Sequence, residues 1–144
     1  MKPYAENRKA RHDYLILETF EGGLALLGQE VKSIREGGAK LQGSYLKVLQ
    51  NQLWLLGATI APYGKAAPTD GYDPTRSRKL LVRKKELGYL AGKTQEKGLT
   101  LVPISLYPSG RRIKLSFGLA RGKQAHDKRE ALKKRAMLRE MQRG

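Results

Sequence analysis

From Arg112 to Leu119 the chain reads RIKLSFGL, with Ile113, Leu115, Phe117 and Leu119 at every second position and Arg112, Lys114 and Ser116 between them. A period of two is the period of a strand, so this stretch lays one face on a core and turns the other to water. The apolar signal then stops. Arg121-Gly122-Lys123 follows, and no Phe, Tyr or Trp occurs again before Gly144. The pattern predicts a folded body over residues 1–121 and a basic tail over residues 122–144, the tail disordered when free and helical on a polyanion.

Charge narrows the partner. The 144 residues carry a net charge of +16, from 29 Lys and Arg against 13 Asp and Glu. The two halves are unequal: residues 1–75 hold 9 basic and 8 acidic groups, residues 76–144 hold 20 and 5. Such an excess repels itself in a compact state, and a polyanion relieves it. Nucleic acid is the first candidate, because Lys and Arg displace counterions from phosphates. An anionic membrane surface is the second. Cysteine is absent, which removes disulfide and thiolate chemistry and allows a reducing compartment. The start, MKPYAENRKARHDY, has no apolar signal-peptide core, and the run Leu53–Ala61 is too short to span a bilayer. The expectation is a cytoplasmic protein with no membrane partner.

The body reads as mainly β. Residues 1–13 show no periodicity. Tyr14–Phe20 is predicted as a strand, Glu21-Gly22-Gly23 as a turn, and Leu24–Leu27 as a second strand. Gln29–Glu36 predicts one or two helical turns, ended by Gly37-Gly38. Leu41–Leu49 and Leu53–Ile60 flank Asn51-Gln52 as a hairpin, the second strand being central; Gly43 marks a bulge or a close backbone contact. Pro62–Pro74 is loop, with three prolines and two glycines. Lys79–Val82 predicts a strand. Lys84–Lys97 predicts a helix, with Leu87, Leu90, Ala91 and Thr94 on one face and Gly98 at its end. Leu99–Leu106 is a strand whose Pro103 implies an edge or a bulge. Tyr107–Gly110 is a turn before the last strand. Six or seven short strands with one or two helices suggest a closed β-barrel of the oligonucleotide-binding type.

Four groups of residues invite chemistry. His12 and His126 stand at opposite ends of the chain and no ligand pair has zinc spacing, so no metal and no cofactor are expected. General acid–base cleavage of RNA by His126 with Lys128 is conceivable, but a lone histidine in a basic tail suits stacking or hydrogen bonding better, and the expectation is no enzyme. The dense run Arg76, Arg78, Lys79, Arg83, Lys84 and Lys85 reads either as a solvated face or as phosphate contacts that set orientation. Tyr63, Tyr72 and Tyr107 are available to stack on bases, or to close the ends of a barrel, which suits Tyr107 better. In His126-Asp127-Lys128-Arg129 an imidazole can stack on a base and two cations can bind phosphate. The alternative there is an ordinary helix start, capped by Asp127 with Glu130 three residues on.

The motifs NRKARHDY (Asn7–Tyr14), FEGGLALLGQEVKSIR (Phe20–Arg35), DPTRSRKLLVRKKE (Asp73–Glu86), GLTLVPISLY (Gly98–Tyr107) and GLARGKQAHDKRE (Gly118–Glu130) occur in this order. Together they make a chain that resembles the SsrA-binding protein family, also called small protein B, over nearly its whole length. The resemblance implies an oligonucleotide-binding-type barrel that grips the tRNA-like part of transfer-messenger RNA, without enzymatic activity. It implies delivery with elongation factor Tu and GTP to ribosomes stalled on mRNA lacking a stop codon. It also implies a tail that enters the empty mRNA channel at the decoding centre, before a degradation tag is added. Asn7, Glu21, Leu81 and Lys114 match the barrel positions that the family uses for RNA. Gly122, His126, Asp127, Lys128 and Arg129 match those used at the decoding centre. Two departures stand out: Gln124 replaces a basic residue common in the family, and the loop Pro62–Tyr72 lacks the family's asparagine and histidine pattern. The alternative is a general single-strand or ribosomal RNA-binding protein with no part in rescue.

Overall fold

The computed structural model describes residues 2–64 and 71–122. Its elements run β1 (Ala5–Glu6), α1 (Arg8–Asp13), β2 (Tyr14–Leu24), α2 (Gly28–Arg35), β3 (Ala39–Lys40), β4 (Tyr45–Leu49), β5 (Gln52–Leu56), β6 (Thr59–Ile60), β7 (Arg78–Leu81), α3 (Lys84–Lys93), β8 (Leu99–Ser109) and β9 (Arg112–Gly122). The main sheet has the order β1-β8-β4-β5-β7-β2-β9, and β9 returns to pair with β8. Six strands therefore close a ring, with β1 added to β8 and every pairing antiparallel. This is the expected mainly-β barrel with short helices. Closure matters physically because it leaves no long unpaired edge.

The alternation from Ile113 to Leu119 holds. Ile113, Leu115, Phe117 and Leu119 are buried, and they meet Leu53, Leu55, Leu80, Leu101 and Leu106 from the facing strands in one core. Each such side chain stabilises the fold by roughly 1.5–3 kcal/mol. Leu90 carries α3 onto the same core. On the far side of β9, Ala120 packs with Ala10 and Val102, so α1 covers part of the outer wall.

Several sequence expectations are corrected. The segment before β2, which shows no periodicity in sequence, nonetheless forms β1 and α1, and Tyr4 and Asn7 hydrogen-bond to β8. The anchor is the predicted break at Pro103. The register of β8 against β9 shifts between Pro103 and Ser105, which takes the Pro103 carbonyl out of the ladder. Asn7 Nδ2 donates to that carbonyl at 3.0 Å, and the Asn7 N–H donates to the Ile104 carbonyl at 2.8 Å. A bulge in one strand thus creates acceptors, and the N-terminal segment satisfies them.

Glu21-Gly22-Gly23 is not a turn, because β2 runs unbroken through it and pairs with β9 along that length. The glycine has a steric reason: a Cβ on Gly22 would lie 2.8 Å from the Leu81 carbonyl and 3.0 Å from Val82 Cγ1. The hairpin between β4 and β5 turns on Gln50-Asn51, with φ of 51° and 58°, one residue before the expected pair. Two positive φ values match the twist of the flanking strands. Gly43 has φ +81 and lies in the turn just before β4, where the Ser44 N–H returns to the Leu41 carbonyl. The strand expected over Leu53–Ile60 is broken at Gly57, φ +78, into β5 and β6. Helix α3 stops at Lys93, four residues early, where Thr94 Oγ1 bonds the Leu90 carbonyl at 2.8 Å and competes with further helix. Tyr107 lies inside β8, not in the turn after it. Three of the strands, β2, β8 and β9, are far from short at 11 residues each.

Candidate nucleic-acid interface

The outer wall of β7, β2 and β9 carries a row fixed by register. Gly23 pairs with Leu81 on one side and with Lys114 on the other, so these three point the same way. Leu81 is 54% exposed, which settles its place outside the core. Lys114 follows from strand parity, since Ile113 and Leu115 on either side are buried. Glu21 is two residues from Gly23 on the same strand and therefore on the same face. Its carboxylate lies 3.7 Å from Lys114 Nζ and accepts the Tyr107 hydroxyl. The Tyr107 hydroxyl bond and the Lys114 charge hold the Glu21 carboxyl below the usual carboxylate range. Burial and the same carboxylate push the Tyr107 phenol up to about 12. At neutral pH the row therefore presents a fixed anion, a cation and an apolar side chain.

These groups line an open cleft of about 810 Å³ that Arg83, Arg111 and Arg112 also border. Arg83 comes from the approach to α3, Arg111 from the β8–β9 turn and Arg112 from the first position of β9. Arg35 Nη2 reaches the Arg111 carbonyl at 3.4 Å and brings a further cation to that corner. Sequence reading passed over Arg35 and Arg111, whose convergence depends on the barrel closing. The adjacent Arg111-Arg112 pair after a Gly was the available signal. Such a wall can bind phosphates through the guanidinium groups and accept base or sugar donors at Glu21.

Of the other sequence candidates, Asn7 lies elsewhere. It is buried, its side-chain amide is held at the Pro103 bulge, and it does not meet Glu21, Leu81 or Lys114. Gly122 is the last residue of β9 and pairs with Tyr14. His126, Asp127, Lys128 and Arg129 lie outside the described residues, as does the middle of the Pro62–Pro74 loop. Tyr63 stands under the Lys32 ammonium, 5.7 Å from its ring centre.

The basic run divides. Arg78 is fully buried, and so is Glu30. Arg78 gives Nη2 and Nε to Glu30 Oε2 at 2.7 and 3.0 Å, Nη1 to the Ala58 carbonyl at 2.9 Å, and Nη2 to the Pro74 carbonyl at 3.0 Å. Arg76 grips both oxygens of the same carboxylate. The Tyr72 hydroxyl donates to Glu30 Oε2 at 3.1 Å and to the Ile60 carbonyl at 2.9 Å. Arg78 therefore holds the fold together and is not a surface contact for RNA, while Tyr72 is half-buried with its hydroxyl committed to the same cluster. Among the described residues, no group of His, Cys, Asp or Glu is arranged to hold a metal ion, and no helix is long and apolar enough to cross a membrane.

Gly22 gives a local test of the wall. Gly22→Ala forces the Leu81 carbonyl away from β2, at an expected cost of about 1–3 kcal/mol. Urea midpoints check the stability. A variant as stable as the parent would mean that β7 yields freely there.

Comparison with known proteins agrees over nearly the full chain. Residues 4–144 match the family model described as SmpB protein. The chain is 50% identical over 143 residues to an SsrA-binding protein of Thermosynechococcus vestitus, covering 99% of this chain and 94% of that one. It is 48% identical over 143 residues to an SsrA-binding protein of Microcystis aeruginosa, covering 99% and 93%. A solved structure described as "tmRNA-SmpB: a journey to the center of the bacterial ribosome" is similar with a TM-score of 0.68 and 51% identity, over 82% of each chain.

Proposed function

The chain belongs to the SmpB family of SsrA-binding proteins, and from that premise we propose how its two charged regions divide the work. It is an RNA-binding adaptor of trans-translation, with transfer-messenger RNA and the ribosome as partners. The body, residues 1–121, takes the tRNA-like domain of the RNA on the cleft wall formed by Glu21, Leu81 and Lys114. The RNA and protein travel together with elongation factor Tu and GTP to the A site of a stalled ribosome. The tail, residues 122–144, occupies the empty mRNA channel, with Gly122, His126, Asp127, Lys128 and Arg129 at the decoding centre. No step of this reading asks the protein for catalysis, and work on ribosomes places it in the cytoplasm.

One observation carries the body's share: Leu81 and Lys114 both pair with Gly23, and Glu21 reaches Lys114 on the same wall. An anion, a cation and an exposed leucine so arranged suit a folded RNA better than a random polyanion, because the carboxylate repels phosphate and accepts base or sugar donors. Asn7, the fourth barrel residue given to the RNA, acts from the Pro103 bulge of β8, the strand beside β9.

The test is binding of full-length protein to transcribed transfer-messenger RNA, with an unrelated structured RNA as competitor. With about 6 phosphates contacted, log Kd should change with log salt with a slope of magnitude roughly 4 to 5. Lys114→Ala should weaken binding roughly tenfold or more and reduce that slope by about 0.9. A flat salt response, or a competitor as effective as the transfer-messenger RNA, would favour a general RNA-binding protein.

A further inference from the structure

The outer face of β4, β5 and β7 holds a second arrangement. Register sets Lys47, Trp54 and Lys79 in one cross-strand row, Lys47 opposite Trp54 and Trp54 opposite Lys79. Their neighbours Leu46, Leu53, Leu55 and Leu80 are buried, so the row faces outward. Lys47 is exposed, while Trp54 and Lys79 are half-buried. Tyr45, two residues before Lys47 on the same face, is 47% exposed. The strands β4, β5 and β7 contain no carboxylate. The cation–ring contacts found among the described residues are at Tyr63 and Tyr89, so neither lysine covers the indole.

We propose that Trp54 is a stacking platform for an unpaired base of transfer-messenger RNA, with Lys47 and Lys79 holding the phosphates on either side. This rests on the reading that the Leu81–Lys114 wall binds that RNA. Two observations select the occupant. The first is charge: an indole between two lysines on a wall free of carboxylates matches a stretched nucleic-acid strand, which offers a ring face and flanking phosphates in alternation. The second is continuity: Lys79 and Leu81 lie two residues apart on β7 and share its outer side. Strands are about 4.8 Å apart, so Trp54 on β5 and Lys114 on β9, three strands away, are separated by roughly 14 Å. A few nucleotides span that distance, and RNA gripped at Lys114 can extend directly onto the indole.

The chain has one tryptophan, so its fluorescence reports on this residue alone. Full-length protein is titrated with transcribed transfer-messenger RNA without ribosomes, and acrylamide access to the indole is measured before and after. Stacking predicts quenched emission and reduced access. Trp54→Ala should weaken binding about 5- to 100-fold, with most of the affinity kept by Trp54→Phe, which retains an aromatic face. Lys47→Ala and Lys79→Ala should each lower the salt slope by about 0.7, the value for a single strand. Emission and access unchanged in a saturated complex would overturn the proposal without recourse to any variant. So would protection that appears only when ribosomes are added. Loss of binding in Lys114→Ala with an unprotected Trp54 would leave the wall reading intact and remove this one. A protected Trp54 with normal binding by Lys114→Ala would do the reverse.

Discussion

Glu30→Ala is expected to destabilise the body by about 3–5 kcal/mol, the usual cost of removing one partner from a buried ion pair. A domain of this size has about 5–15 kcal/mol in total, so the variant should approach the edge of folding. The reason is that Arg78 is fully buried with Glu30 as its counter-ion. Without the carboxylate, the guanidinium loses its charge partner in a site that water does not reach. Tyr72 and Arg76 also lose their acceptor, and with them goes the tie between the Pro74 end of the loop and α2. Arg78→Lys should also destabilise the body, because an ammonium cannot serve Glu30, Ala58 and Pro74 in the fork geometry of a guanidinium.

Acid should act on the same group. Burial alone would raise the Glu30 carboxyl, but hydrogen bonds from Arg76, the Leu27 N–H and Arg78 outweigh it, and the net shift is below 4.5. A carboxyl depressed in the folded state makes the unfolded chain bind more protons, so stability rises with pH across that interval. Its contribution is complete above about pH 4.5 and is lost as pH falls through the folded value. Urea unfolding of the parent between pH 3 and pH 6 should show this slope, and Glu30→Ala should show less of it. A Glu30→Ala variant within about 0.5 kcal/mol of the parent, the range of ordinary surface substitutions, would mean that the cluster is not what fixes the loop.

This cluster also marks where sequence reading reached its limit. The alternation from Ile113 to Leu119 was legible because burial of one strand face imposes a period of two, and the ring closes on that strand. Pro103 was legible as a bulge because a residue without an N–H cannot serve a regular ladder. Arg76 and Arg78 were not separable from Lys79, Arg83, Lys84 and Lys85. Charge density along a chain does not say which guanidinium turns inward, and the partner, Glu30, is 48 residues from Arg78. Gly22 misled for a similar reason: a glycine needed for close approach by β7 looks, in one dimension, like a glycine needed for a turn. On the candidate wall, Lys114 was readable from parity and Leu81 was not, since an apolar residue at the end of an apolar strand suits either side. Only the pairing of Gly23 with both of them joins the row.

Removal of residues 123–144 is expected to abolish tagging on stalled ribosomes and to leave binding of transfer-messenger RNA largely intact. The cut falls after the last ladder residue: Arg121 pairs with Leu15 and Leu99, and Gly122 pairs with Tyr14. No described strand pairing is lost, so the ring and its RNA wall should survive. The truncated protein still carries a net charge of +11, enough to keep long-range attraction for RNA. What disappears is the cluster His126-Asp127-Lys128-Arg129 and the cations beyond it, the groups assigned to the decoding centre and the mRNA channel. Asp127→Ala, Lys128→Ala and Arg129→Ala combined should reproduce the truncation's loss of tagging while changing the chain far less. Tagging assays on ribosomes stalled without a stop codon, run beside binding assays on the isolated RNA, separate the two activities. Parallel loss of both in the truncated protein would contradict the division between body and tail, and normal tagging by the triple variant would reject the roles given to those three side chains.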